Sequence, residues 1–385
     1  MLPVPFVEPV DAVVTDRLRI ALVGLYYAPV IGGIETHMEL LAQGLARQDF
    51  SVFVSCLARL LGGGSTRVGV ERLNGISVRR VGSYGVGESL RWPQRLVPKG
   101  SADLIHVHGF SRTLLLRLIM EKADLPLVIT PHGGVHGAYT DPSPLRRSAK
   151  LTFDRILAKR LLRTASRVIA LTDVEAAHLR HIGVEASRLT VLPNAIGDEA
   201  MNLSSLRQGA SGRLLVLSRL APRKRIADVL QALLSLSNPP GCDIAGPDEG
   251  QMARLKELAR RMPAQSIRFL GPVEGKVKVD LLRGAKALVL ASSLEGLAIT
   301  ALEAIAQGTP VIASEAAAVG LPRLGILTFP VGDTAALASR IRSLEDPAVT
   351  EKLRNGASAA RAEIKTSEDQ LRHTLRVYED ARACV

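Results

Sequence analysis

Cysteine is scarce in this chain of 385 residues, with only Cys56, Cys242 and Cys384 present. Three distant thiols make neither a disulfide framework nor a zinc site, and such usage fits a reducing compartment. Aromatic residues are 3% of the chain. Without an aromatic stacking motif, the sequence does not read as an RNA or DNA binder, and nucleic acid is not expected as a partner. No apolar run is long enough to span a bilayer. Glu8, Asp11 and Asp16 precede any long apolar run, so the first residues do not read as a signal peptide. There is no short-period repeat and no low-complexity tract.

Acidic residues are also the minority, 37 against 49 Lys and Arg, giving a formal charge of +12 and a pI near 10.0. Residues 1–193 hold 24 basic and 16 acidic side chains, and the remainder holds 25 and 21. The excess therefore sits mainly in the first half. A strongly basic chain favours anionic partners, here phosphates on small substrates or on a membrane.

What the chain does have is 47% hydrophobic residues and a length suited to two domains. Short β-rich runs recur along it, beginning with LRIALVGL at Leu18 to Leu25. Gly32 and Gly33 follow, and from Met38 the apolar residues repeat at helical spacing. Strand, glycine loop and helix open a Rossmann-like half. SVFVSCLA, DLIHVHG, LPLVITPHGG and RVIALT continue the strand series. The pattern restarts at RLLVLSRL and runs through CDIAGPDEG, SIRFLGPV, ALVLASS, TPVIAS and GILTFPV. This predicts an α/β protein of two doubly wound parallel-sheet domains. The expected divisions are residues 1–193, a linker at 194–212, a second domain at 213–366 and a last helix at 367–385. Ligands of such sheets sit at the carboxyl ends of the strands, so two facing domains make a central cleft.

The chemistry-bearing residues cluster in a few places. SSLEGLAITALEAIAQGTPVIAS, residues 292–314, places Glu295 eight residues before Glu303. Gly296 and Ala298 between them permit close backbone approach at a helix N-terminus, where free N–H groups suit a diphosphate or sugar hydroxyls. Each carboxylate can accept hydrogen bonds from vicinal hydroxyls. Spacing alone favours an ordinary helix whose first-turn glutamate complements the dipole and whose second glutamate is solvated. Arg219 and Lys224, in SRLAPRKR, follow the first strand of the second half and are suited either to a diphosphate or to a solvated basic turn. His132 ends a strand in TPHGG. His106 and His108 in HVHG suggest two metal ligands, but the expectation is that they point to opposite faces of the strand. No metal site is expected.

In this wider context the residues resemble glycosyltransferase family 4, retaining enzymes of the GT-B fold. The resemblance runs from about residue 18 to 335. LEAIAQGTPVIAS is similar to the family's paired-glutamate stretch, which implies that Glu295 meets the transferred sugar and Glu303 the nucleotide ribose. By the same resemblance, Arg219 and Lys224 clamp the donor diphosphate, and Gly32 and Gly33 approach donor phosphate and acceptor. His132 then lies near the transferred sugar, with Gly296, Leu297 and Ala298 in the donor loop. The implied catalytic set is Glu295, His132, Arg219 and Lys224.

Three positions depart from the family pattern. Leu297-Ala298 stands for Phe-Gly, Asn194-Ala195 for Asn-Gly, and Glu315-Ala316-Ala317-Ala318 for a Gly-Gly turn leading to Glu. They bear on the sugar contacts and donor identity. The resemblance implies transfer from a nucleotide-sugar donor to a glycan or lipid-linked acceptor, without cofactor. No Asp-x-Asp motif accompanies the basic pair, which is expected to replace a divalent cation. A cytoplasmic enzyme is expected, peripheral on the inner face of the membrane. Pro144 to Arg167 carries eight Lys and Arg against Asp154. With Arg79 and Arg80 this segment is one reading of an anionic-membrane surface; a helix packing its leucines on the sheet is the other. The rival functions are a sugar-nucleotide epimerase of the same shape and a silent donor-binding subunit. A nicotinamide oxidoreductase is disfavoured, since the first turn lacks the spaced three-glycine fingerprint.

Overall fold

The computed structural model of the chain describes residues 18–60, 64–85, 91–122, 124–135, 148, 158–202 and 212–384. Two parallel sheets dominate, each with a buried apolar cluster on either face. In chain order the first half supplies β1 (Arg19–Val23), β2 (Ser51–Leu57), β3 (Gly69–Leu73), β4 (Ile76–Val81), β5 (Ser83–Tyr84), β6 (Trp92–Pro93), β7 (Leu104–His108), β8 (Leu127–Thr130), β9 (Arg167–Ala170) and β10 (Leu189–Val191). Its main sheet has the order β10-β9-β8-β7-β1-β2-β4-β3. Strands such as LIHVH and LVIT are buried along their whole length, as a sheet covered on both faces requires.

Two elements differ from the sequence reading. β3 and β4 form an antiparallel edge hairpin where no strand is expected. Asn74 and Gly75 close it with φ values of 50° and 82°, the left-handed geometry of a two-residue hairpin turn. β10 is the other, pairing in parallel with β9 just before the expected linker, where no strand is expected.

The second half supplies β11 (Leu214–Leu217), β12 (Cys242–Ala245), β13 (Ile267–Gly271), β14 (Ala287–Leu290), β15 (Val311–Ser314) and β16 (Ile326–Phe329). Their order is β13-β12-β11-β14-β15-β16, all parallel. Asp243 on β12 is buried and accepts hydrogen bonds from Arg213 and Arg268, pinning three neighbouring strands. Gly246 follows β12 at φ 140°, where a Cβ would lie 1.9 Å from the Ser218 carbonyl oxygen. Only glycine lets these two strand ends meet, and the loop carrying Arg219 is fixed there.

The connection between the halves is not slack throughout. Ile196 and Ala200 are buried in the second half's core beside Leu288 and Ile305, and the Ile196 N–H donates to the Lys365 carbonyl. Residues 203–211 lie outside the described residues. The helix Ser367–Arg382, started by a Thr366–Asp369 capping box, returns to the first half. It buries Leu371, Val377, Tyr378 and Ala381 against Met38, Leu41 and Leu45.

Most of the basic segment Pro144 to Arg167, including Leu151, Ile156 and Leu157, lies outside the described residues. Its described helix, Lys159–Arg163, buries Leu161 and Leu162 and exposes Lys159, Arg160 and Arg163. Arg80 does not join a lipid-facing surface. It is 3% exposed, paired with Glu71 and donating to the Ala28 carbonyl. No described helix is long and apolar enough to cross a membrane.

Candidate active site

A cleft of about 460 Å³ lies between the two halves at the carboxyl ends of their strands. Gly32, Gly33, His132, Arg219, Lys224, Glu295, Gly296, Leu297, Ala298 and Glu303 all line it. The ten site residues read from the sequence, which span 272 positions, thus converge on one cavity.

On the second-half side, Arg219 and Lys224 lie in the loop after β11 and Glu295 in the loop after β14. The helix Ile299–Ala306 begins only beyond Ala298, so Glu303 alone of the two glutamates is helical. Each charged group already has a partner. Lys224 donates to Glu295, Arg219 pairs with Glu249 at 2.8 Å, and Lys278 reaches Glu303 at 2.7 Å. Burial alone would raise the Glu295 pKa. The Lys224 ammonium, aided by Ser292 and Arg223, outweighs it and holds this carboxyl below its ordinary value. Lys278 and Glu249 line the cleft too and no motif marks them; Arg223, which lies within SRLAPRKR but has no role by the resemblance, lines it as well.

On the first-half side, the helix Gly33–Arg47 opens on the cleft, and a Cβ on Gly33 would be 3.8 Å from Ile299. This helix and Ile299–Ala306 therefore face one another by their N-termini. Neither has an N-cap side chain; the Ile299–Ala306 end leaves free N–H groups and a partial positive charge toward the cleft, while the Glu35 carboxylate lies over the Gly33–Arg47 end. Glu35 is buried in the first turn. Burial raises its pKa, opposed by its own backbone N–H and by the Arg219 and Arg223 charges.

His132 follows β8 with φ 53°, a left-handed conformation that is costly for a residue with a Cβ. The turn is held by Glu175, whose buried carboxylate accepts from Gly133 N–H at 2.7 Å and Leu171 N–H at 2.8 Å. Asn194 Nδ2 donates to the Leu297 carbonyl at 3.1 Å. Two of the departures from the family pattern are therefore neighbours in space.

His106 and His108 share a face of β7, contrary to the expectation. Residues two apart in a strand point the same way, and their ring centroids are 4.1 Å apart. His37 and His132 join them, with His37 centred 5.1 Å from His108 and 4.8 Å from His132. His106 shares hydrogen bonds with Tyr378 Oη at 2.7 Å and Thr130 Oγ1 at 2.8 Å. His108 Nδ1 lies 3.2 Å from His132 Nε2. Burial pushes the His106, His108 and His132 pKa values well below the ordinary range, and His37 down to about 4. All four imidazoles are neutral at pH 7.

Two family models match the chain in tandem. The glycosyl transferase 4-like domain covers residues 32–195, and the glycosyl transferases group 1 domain covers residues 204–361. The chain belongs to the group 1 glycosyltransferases. Among curated relatives of this group 1 enzyme is GDP-mannose:cellobiosyl-diphosphopolyprenol alpha-mannosyltransferase of Xanthomonas campestris. It is 27% identical over 295 residues, 74% of this chain and 75% of the relative. Phosphatidyl-myo-inositol mannosyltransferase of Mycolicibacterium smegmatis is 26% identical over 281 residues, 70% and 68% of the two chains. Solved structures share the GT-B fold. Sucrose-phosphate synthase of Thermosynechococcus elongatus superposes with a TM-score of 0.75 at 20% identity, covering 96% of this chain and 100% of that one. Anabaena HepE, in complex with UDP and glucose, gives 0.71 at 18% identity over 94% and 100%. The epimerase and silent-subunit readings draw no support from these similarities.

Proposed function

We propose that this glycosyltransferase retains anomeric configuration and moves a hexose from a nucleoside-diphosphate donor without a divalent cation. The observation that carries the reading is the convergence of Arg219, Lys224, Glu295, Glu303 and His132 on one interdomain cleft. The diphosphate sits against Arg219 and Lys224 and the uncapped N-terminus of Ile299–Ala306, displacing the Glu249 and Glu295 carboxylates that pair with these cations. Fixed cations stabilise charge as it builds on the leaving diphosphate, the work a bound metal does elsewhere. Glu303, steadied by Lys278, takes the ribose hydroxyls, while Glu295 and His132 meet the sugar. The acceptor oxygen attacks from the face the diphosphate leaves, and a diphosphate oxygen takes its proton. No protein nucleophile is needed.

Both relatives carry lipid-anchored phosphates in their names, a diphosphopolyprenol and a phosphatidyl-inositol. With the basic first domain, this supports a lipid-linked acceptor and a peripheral enzyme on the cytoplasmic face of an anionic membrane. Binding to anionic vesicles that added salt releases is the expected sedimentation result; equal recovery from anionic and neutral vesicles contradicts it.

A thermal-shift panel of nucleoside diphosphates and nucleotide sugars tests the donor site, since a ligand of the folded state raises apparent stability by mass action. One nucleotide series is expected to raise Tm in the presence of chelator. No shift with any of them would overturn the reading.

A further inference from the structure

The transfer mechanism uses His132 but leaves His37 and His108 without a task. The three side chains come from separate elements, a helix start, the end of β7 and the turn after β8. They offer one ring nitrogen each, all within 4.8 Å of one another. We propose that His37, His108 and His132 form a site for a borderline-soft divalent cation of the zinc class, and that a cation bound there inhibits transfer.

Three neutral imidazoles with one open position are a recognised zinc-type donor set. With Zn–N bonds of about 2.0–2.1 Å, neighbouring ligand atoms of a tetrahedron lie roughly 3.3 Å apart. The 3.2 Å between His108 Nδ1 and His132 Nε2 already matches such an edge. The widest separation, 4.8 Å, closes by rotamer adjustment of the three rings toward a shared centre. Gln370 contacts His37 Nδ1 at 3.2 Å. The same amide nitrogen donates to the Pro193 carbonyl at 3.3 Å, so Gln370 is the donor to His37, and a cation that takes His37 as a ligand displaces one of the ring's present hydrogen bonds. His106 is held by Tyr378 and Thr130 and packs beside His108, so it serves as a wall rather than a ligand.

His108 and His132 line the cleft. A cation therefore has a path in, and its fourth position faces the cavity where water or an anion completes the shell. Occupancy engages His132 Nε2 and withdraws this side chain from the sugar. The site competes with transfer, which is itself proposed to need no metal.

Cobalt(II) titration of the untagged full-length protein tests the site directly, with a readout independent of transfer. One equivalent is expected, giving the intense visible bands of four-coordinate cobalt, which zinc abolishes by displacement. His37→Asn and His108→Asn should each lose these bands while keeping the parent circular dichroism; His106→Gln should keep them. In the transfer assay, stoichiometric zinc should lower the rate by about tenfold or more, with recovery in chelator. The proposal is overturned if no four-coordinate spectrum appears, or if it survives in folded His37→Asn and His108→Asn. Absence of transfer activity altogether would count against the proposed function and leave the cobalt result standing on its own.

Discussion

Gly296 of the second domain lies against the backbone of His132 in the first, where a Cβ on Gly296 would fall 2.7 Å from the His132 carbonyl oxygen. Gly133 answers it from the other side, with φ +75° and a virtual Cβ 2.8 Å from Gly296 Cα. The two domains meet backbone to backbone beside the proposed sugar position. Gly296→Ala is therefore expected to hold the domains apart. Transfer should fall by about tenfold or more, because small misplacements of reacting groups are costly. The contact lies between the domains and outside either core, so Tm should change little. Parent kinetics in Gly296→Ala would show that this approach is not needed.

The basic pair should separate chemistry from folding. Arg219→Ala and Lys224→Ala are each expected to lower kcat by about 10²–10³, the scale seen when one charge-stabilising donor is lost. Circular dichroism should match the parent. Lys224→Ala also strips the cation that holds Glu295 ionised, so its loss should be the more pH-dependent of the two. Equal activity of both variants and parent would remove the diphosphate clamp from the account.

The two glutamates should differ in kind. Glu303→Ala is expected to weaken nucleoside-diphosphate binding, read by calorimetry, by about 1.5–3 kcal/mol for a lost hydrogen bond to a charged group. Lys278→Ala should reproduce part of that loss through their 2.7 Å pair. Glu295→Ala should bind the diphosphate nearly as well as the parent and fail mainly in transfer. Identical behaviour of Glu295→Ala and Glu303→Ala would contradict the assignment.

The histidine cluster predicts an acid-labile first domain. A free imidazole titrates near 6.5, while burial pushes folded His37 down to about 4 and holds His106, His108 and His132 well below the ordinary value. Above 6.5 both states are neutral and the stability is complete. Below it the unfolded chain takes up protons that the folded chain refuses, so stability is lost as pH falls toward 4. Each histidine contributes a slope of up to about 1.4 kcal/mol per pH unit in that window. Thermal melts between about pH 7 and 5 should show Tm falling steeply, and less so in His106→Gln. A flat profile would contradict the buried neutral cluster.

Much of this site was legible because its residues sit in local motifs. Glu295, Gly296 and Glu303 share one strand–loop–helix run, and Arg219 and Lys224 share one turn, so chain proximity announces them. Glu249 and Lys278 carry no such mark. They matter through partners 30 and 25 residues away, Arg219 and Glu303, and only the fold makes those pairs. Glu175 acts on Gly133, 42 residues earlier, through a backbone N–H that no side-chain pattern encodes. The β3–β4 hairpin is a different case. Asn74-Gly75 is a local turn signal, obscured because β3 is exposed and β4 buries mainly alternate residues, so neither carries a continuous apolar run. The histidine cluster was misjudged by an error of strand periodicity, since His106 and His108 are two apart and share a face.

The central claim is metal-independent transfer with retention at the anomeric carbon. It is tested most directly by determining the product's anomeric configuration from its one-bond carbon–proton coupling. The reaction would run in chelator, with the donor that the thermal-shift panel selects and a lipid-linked acceptor. The account predicts an α-linked product from an α-linked donor at full rate. A β-linked product, or transfer that appears only when magnesium or manganese is added back, would contradict it.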